Sequence, residues 1–95
     1  MNQKIQLKHP AGKKAVSMDK VKYDTLKKAI LQCLKINGEL SHTEMLKTIT
    51  EDFKKKKIKF EGSIEWHMEW VKLDLEAKKE ITKHADKPTV KYTIA

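Results

Sequence analysis

The chain has 95 residues, of which 21 are Lys or Arg and 13 are Asp or Glu, so its formal net charge is +8. A chain of this length is expected to form one compact domain with a small core, which excludes a two-lobed enzyme with a cleft between domains. The hydrophobic content of 39% follows a periodic pattern, which argues against disorder. No apolar stretch approaches the roughly 20 residues of a membrane span.

The N-terminal segment, residues 1–18, is rich in lysine and has only short apolar alternation. Ile5 and Leu7 alternate with polar neighbours, and a His-Pro-Ala-Gly sequence supplies turn chemistry before Val16 and Met18. We therefore predict a basic N-terminal arm or short hairpin over 1–18 and a main domain over 19–95.

Two helices are predicted next. Asp19 is a suitable N-cap for a helix over 20–36, and the Asn-Gly pair that follows is typical of a helix end. Ser41 and Glu44 have the spacing of a capping box, which predicts a second helix over about 42–53.

A lysine run separates the second helix from a third, predicted over 63–80. The last part of the chain has two apolar-polar alternating segments, 80–84 and 89–94, with a turn containing Pro88 between them. These segments predict a C-terminal β-hairpin.

The third helix has two apolar stripes when its residues are placed at 100° intervals, so it needs packing partners on two sides. The first stripe contains Ile64, Met68, Val71 and Leu75. The second, nearly opposite, contains Trp66, Trp70, Leu73 and Ala77. Between them lie Glu65, Glu69, Glu76 and Glu80 on one side and His67, Asp74 and Lys78 on the other.

Three segments carry a resemblance to the winged helix-turn-helix superfamily: the sequence from Gly38 to Leu46, the sequence from Trp70 to Lys78, and the Lys-Pro and Lys-Tyr pairs of the hairpin. Over residues 8–95 the chain resembles, more narrowly, a family of small bacterial winged-helix proteins whose activity is not established. It departs from that family before helix three, where a lysine run replaces a glycine-rich loop. The resemblance implies an α+β winged helix, a three-helix bundle plus a C-terminal hairpin wing, and DNA binding as the commonest role of such domains.

The charge is divided unevenly along the chain. Residues 1–60 carry a net charge of +9 and residues 81–95 carry +2, whereas the third helix region, residues 61–80, carries −3. All the basic residues are lysine, so the planar guanidinium fork that reads guanine is absent. Because the third helix of such a fold usually enters the major groove, an acidic one disfavours base reading.

Phosphate contacts remain available, and they give affinity without sequence choice. The predicted phosphate-binding lysines are Lys13 and Lys14 of the arm, Lys54, Lys55, Lys56, Lys57 and Lys59 of the run, and Lys83, Lys87 and Lys91 of the hairpin. The alternative is that these lysines are solvated and bind nothing.

Trp66, Trp70 and Leu73 have three interpretations. They pack against the wing or the arm, they anchor a protein partner or a second copy of the chain, or the tryptophans stack on single-stranded bases. The leading prediction is a DNA-binding protein with little sequence specificity, and the alternative is a protein-interaction or homodimerisation module.

No reaction chemistry is predicted. The four histidines and the single cysteine, Cys33, lack metal-ligand spacing, and no glycine-rich phosphate cradle occurs. We expect a cytoplasmic protein that is not an enzyme and has no cofactor, metal, membrane partner or small-molecule substrate.

Overall fold

A computed structural model describes residues 3–85 and 88–95. The fold is α+β, with three helices and two small antiparallel hairpins, and this confirms the predicted class. The elements in chain order are β1 (Lys4–Gln6), β2 (Ser17–Asp19), α1 (Lys20–Asn37), α2 (His42–Lys55), α3 (Ile64–Ala77), β3 (Ile81–His84) and β4 (Lys91–Ile94).

Each helix begins at a side chain that accepts a hydrogen bond from the amide of the third helical residue. Asp19 does so for α1 at 3.2 Å and Ser63 does so for α3 at 3.1 Å. Ser41 accepts from the Glu44 amide at 3.2 Å, and the Glu44 carboxylate accepts from the Ser41 amide at 3.0 Å, so the predicted capping box is confirmed. These caps satisfy amides that would otherwise have no helical partner.

Two helices end at lysines in the left-handed conformation, a position that usually holds glycine. Lys57 has a φ of 56° and Lys79 a φ of 61°. In each case the next amide bonds back five residues, to Phe53 and Leu75 respectively, at 2.9 Å. As a result α2 runs two residues beyond its predicted end and α3 stops three residues short of its own.

The core is formed by one face of each helix together with residues of both hairpins. Leu26, Ile30, Met45, Ile49, Met68, Val71 and Leu75 have at most 1% of their surface exposed. The N-terminal hairpin supplies Leu7 and Met18, which are also buried. The first predicted stripe of α3 therefore faces the helices.

The C-terminal hairpin is attached to the helices through the link between α1 and α2. In its register Ile81 pairs with Ile94 and Lys83 pairs with Tyr92. The Leu40 amide donates to the Tyr92 carbonyl at 3.1 Å, and the Tyr92 amide donates to the Leu40 carbonyl at 2.8 Å. The hairpin is thus held beside the first turn of α2.

Candidate nucleic-acid interface

The lysine loop, residues 54–59, comprises the last two residues of α2 and the four residues that follow. It is held in place by aromatic packing at its two ends. Phe53 is buried at the end of α2, and Phe60 stacks on it with ring centroids 6.0 Å apart. Phe60 also meets the His67 ring edge-on at 5.0 Å. Since both ends of the loop are anchored on apolar rings, its lysines project into solvent from a fixed position.

Most of these lysines have no acidic partner among the residues that the structure describes. Lys56 pairs with Asp52 at 3.2 Å, four residues earlier on α2. Within the described part of the chain, no carboxylate lies within 4.0 Å of the ammonium groups of Lys54, Lys55, Lys57 and Lys59. Four positive charges are therefore available to an external anion.

The predicted arm lysines lie on the turn of the N-terminal hairpin. Lys13 and Lys14 are exposed, and the turn rests against α3 through His9, whose ring meets Trp70 edge-on at 6.5 Å. The hairpin loop that carries these lysines is thus attached to α3 through His9.

The hairpin lysines lie elsewhere. Lys91 donates to Glu44 at 2.6 Å in the first turn of α2, and this hydrogen bond is the main reason that the pKa of Glu44 falls to about 2. Lys83 is exposed on β3, and Lys87 lies outside the described residues. Because α2 rises about 1.5 Å per residue, its first turn and the lysine loop are roughly 20 Å apart. The hairpin and loop lysines therefore do not form one cluster.

One side of α3 is acidic, and its carboxylates lie next to His42 and Lys72. Glu65 and Glu69 lie 3.4 and 3.3 Å from nitrogens of His42. Lys72 is only 2% exposed, and its ammonium lies 2.9 Å from His42 Nδ1 and 3.4 Å from Glu69. It also lies 4.5 Å from the ring centroid of Tyr92. Burial lowers the pKa of Lys72. This side offers carboxylates, and not a free cation, to a phosphate backbone.

The opposite side of α3 contains a buried carboxylate that the sequence analysis did not single out. Asp74 is 0% exposed and accepts hydrogen bonds from the Tyr23 hydroxyl and, at 2.8 Å, from the Lys8 amide. The Lys78 ammonium lies 2.9 Å from Asp74 and donates to the Tyr23 oxygen at 3.3 Å. This Asp74 network joins α1, α3 and the arm.

The network shifts two titrations. Burial, and after it the hydrogen bond to Asp74, raises the pKa of Tyr23 to about 12. Burial alone would lower the pKa of Lys78, but its hydrogen bonds with Asp74 and Tyr23 outweigh burial and raise it. The only sequence signal for this site was the four-residue spacing of Asp74 and Lys78 on one side of α3.

The second stripe of α3 is covered only in part. Trp70 and Leu73 are half-buried, whereas 46% of Trp66 is exposed. Neighbouring aromatic rings form a row in which adjacent centroids are at most 6.5 Å apart. This aromatic row consists of His9, Trp70, Trp66, His67 and Phe60. It connects the arm to the lysine loop.

A small cavity of about 170 Å³ lies between α1 and α2, next to Cys33. Burial raises the pKa of the Cys33 thiol to about 11, so the thiolate form is rare near neutral pH. Within residues 3–85 and 88–95, no three His, Cys, Asp or Glu side chains are grouped so that they could hold a metal ion. In the same residues, no helix combines the length and hydrophobicity needed to cross a bilayer.

These features define a small α+β domain with a basic loop and a partly exposed aromatic row. Comparison with known families places residues 4–91 in a family of unknown function (DUF6958), and the chain belongs to that family. No curated protein and no solved structure matches the chain at a significant level.

Proposed function

We propose that this chain is a winged-helix domain that binds DNA through contacts between lysines and phosphates, with little sequence specificity. The order of three helices followed by a hairpin supports the fold assignment. The pairing of Leu40 with Tyr92, which holds the hairpin against the helices, supports it as well.

The lysine loop is the observation that supports DNA binding. Four of its ammonium groups have no carboxylate partner among residues 3–85 and 88–95, so they need not break such an ion pair before they bind a phosphate, unlike Lys91, which is held by Glu44. Neutralising a phosphate releases condensed counterions, and this release gives affinity that is independent of sequence.

The charges of α3 argue against base reading in a major groove. The usual docking would bring Glu65 and Glu69 towards the phosphates, and Lys72 is too deeply buried to compensate. The proposal therefore assigns DNA affinity to the loop and the arm, and not to α3 as a recognition helix.

The test compares two variants of equal net charge. In the loop variant, Lys54, Lys55, Lys57 and Lys59 are changed to glutamine. In the control variant, the same change is made at Lys28, Lys35, Lys47 and Lys79, which are also exposed. Binding of a mixed-sequence DNA oligonucleotide, as a single strand and as a duplex, is measured by fluorescence anisotropy over a range of salt concentrations.

We expect the loop variant to bind duplex DNA more weakly, and its slope of log affinity against log salt to be shallower by about 3.6, since each of the four lost phosphate contacts contributes about 0.9. The control variant should keep most of the wild-type slope. Equal losses in the two variants would mean that only net charge matters, and no binding of either DNA form by the wild type at low salt would overturn the proposal.

A second candidate, a homodimer or protein-interaction module, is favoured by the 46% exposure of Trp66, which lies on the same stripe of α3 as the half-buried Leu73. Sedimentation separates the candidates. A dimer whose mass is insensitive to salt and which retains no DNA supports interaction, and a monomer with salt-sensitive DNA retention supports nucleic-acid binding.

A further inference from the structure

We infer that the nucleic acid bound by this chain is single-stranded DNA, whose bases stack on Trp66 in the aromatic row while its phosphates contact lysines at both ends of that row. This inference rests on the proposed function, and it names the form of DNA and the residue that binds the bases.

The first support is the geometry of the aromatic row. Trp66 lies at its centre, with centroids 4.9 Å from His67 and 6.5 Å from Trp70. The rings of these pairs are inclined at 77° and 59°, so the Trp66 ring does not lie parallel to either neighbour. The 46% exposure of Trp66 therefore leaves aromatic surface on which a base can stack.

The second support is the placement of positive charge. At one end of the row the His9–Trp70 contact brings in the arm turn, with Lys13 and Lys14 exposed. At the other end Phe60 leads into the lysine loop, and the Lys22 ammonium lies 5.7 Å from the Phe60 centroid. A row of rings flanked by cations can take the bases of a strand on the rings and its phosphates on the cations.

The acidic side of α3 limits how such a strand can lie. Glu65 and Glu69 are beside the row but face His42, towards the start of α2. The phosphates must therefore follow the opposite edge, from the arm to the loop. This route keeps them away from both carboxylates.

A duplex cannot use this surface in the same way. Bases within a duplex are stacked on one another, so their faces are unavailable to Trp66, whereas unpaired bases can be splayed onto an aromatic ring. The exposed tryptophan is thus useful to a single strand, and the lysines alone would serve a duplex equally well.

The experiment uses the full chain and three ligands: an oligothymidine of about 16 nucleotides, an abasic strand of the same length, and a duplex of the same length. The abasic strand keeps the phosphates and lacks the bases. Binding is followed by anisotropy and by quenching of tryptophan fluorescence, for wild type, Trp66→Ala, Trp66→Phe and Ile36→Ala. Ile36, which is 73% exposed on α1, controls for the loss of an exposed apolar side chain.

We expect Trp66→Ala to weaken oligothymidine binding about 10-fold, as at other base-stacking aromatics, and to leave abasic-strand binding unchanged. Trp66→Phe should retain most of the affinity, and Ile36→Ala all of it. Wild type should bind oligothymidine more tightly than the abasic strand, with quenching only by oligothymidine.

Failure of this inference is distinguishable from failure of the proposed function. Equal wild-type affinity for oligothymidine and the abasic strand, combined with a dependence on the loop lysines, would overturn base stacking and leave phosphate binding standing. The same conclusion follows if the duplex binds as tightly as oligothymidine. Absence of binding to all three ligands at low salt would overturn both.

Discussion

Replacing Asp74 with asparagine should destabilise the fold more than any substitution of an exposed charge. The carboxylate is fully buried, and its Oδ2 atom accepts from the Tyr23 hydroxyl and pairs with Lys78. Its Oδ1 atom accepts from the Lys8 amide. An asparagine oxygen can still accept from the Lys8 amide, but its amide group would then face the Lys78 ammonium and a Tyr23 hydroxyl that has lost its acceptor.

The magnitude follows from the two interactions lost at Oδ2. A hydrogen bond to a charged group contributes about 1.5–3 kcal/mol. The hydrogen bond from Tyr23 is buried, so its loss should lower the free energy of unfolding by an amount within this range. The Lys78 side chain is 37% exposed and can turn to solvent, so the loss of its interaction should lower the free energy of unfolding by less. We therefore expect a loss of about 3 kcal/mol in the free energy of unfolding, at the lower end of the range for breaking a buried ion pair.

Urea unfolding followed by circular dichroism measures this loss. With a slope of about 1–2 kcal/mol per molar, the Asp74→Asn midpoint should fall by about 1.5–3 M. The control is Glu80→Gln, because the Glu80–Lys27 pair is 3.5 Å long and about one-third exposed. It should cost less than about 1 kcal/mol.

A companion variant tests whether the loss arises from the Tyr23 contact. Tyr23→Phe and Asp74→Asn remove the same hydrogen bond, so their effects on the free energy of unfolding should not add. The loss in the double variant should be smaller than the sum of the two single losses by about 1 kcal/mol or more. Equal stability of Asp74→Asn and Glu80→Gln, or additive effects of Tyr23→Phe and Asp74→Asn, would show that the Tyr23–Asp74 hydrogen bond does not stabilise the fold.

Two further predictions concern lysines. Lys57→Gly and Lys79→Gly each replace a lysine in the left-handed conformation, so each should raise the free energy of unfolding in urea by about 0.5–1 kcal/mol. Only Lys57→Gly should weaken DNA binding. Equal DNA binding by the two variants would contradict a role for Lys57. Lys72→Met removes a buried ammonium group. Its partners His42 and Glu69 have side chains that are 27% and 44% exposed, so both can form hydrogen bonds with water in the variant. Its stability should therefore lie within about 1 kcal/mol of wild type or above it, and a loss above about 2 kcal/mol would show that Lys72 is a structural requirement.

The sequence determined the elements whose signals are local. Asp19 and the Ser41–Glu44 pair marked helix starts, because a cap depends on residues within one turn. The buried apolar positions of α3, Met68, Val71 and Leu75, followed from its period. The predicted ends of α2 and α3 differ from the observed ends by two and three residues. The helices end at Lys57 and Lys79 in the left-handed conformation, which a lysine in the sequence does not predict.

Which charges are buried and which aromatic rings meet depend on contacts between distant parts of the chain. Tyr23 and Asp74 are 51 residues apart in sequence, and Lys72 and His42 are 30 apart. In the sequence Asp74 and Lys72 are two charged residues of an amphipathic helix, and nothing local separates them from the exposed Glu65. The lysine run is visible in the sequence because it is continuous along the chain. The Asp74 network and the aromatic row that joins the arm to the loop form only in the folded chain, because a charge can be buried only when packing brings its partners together.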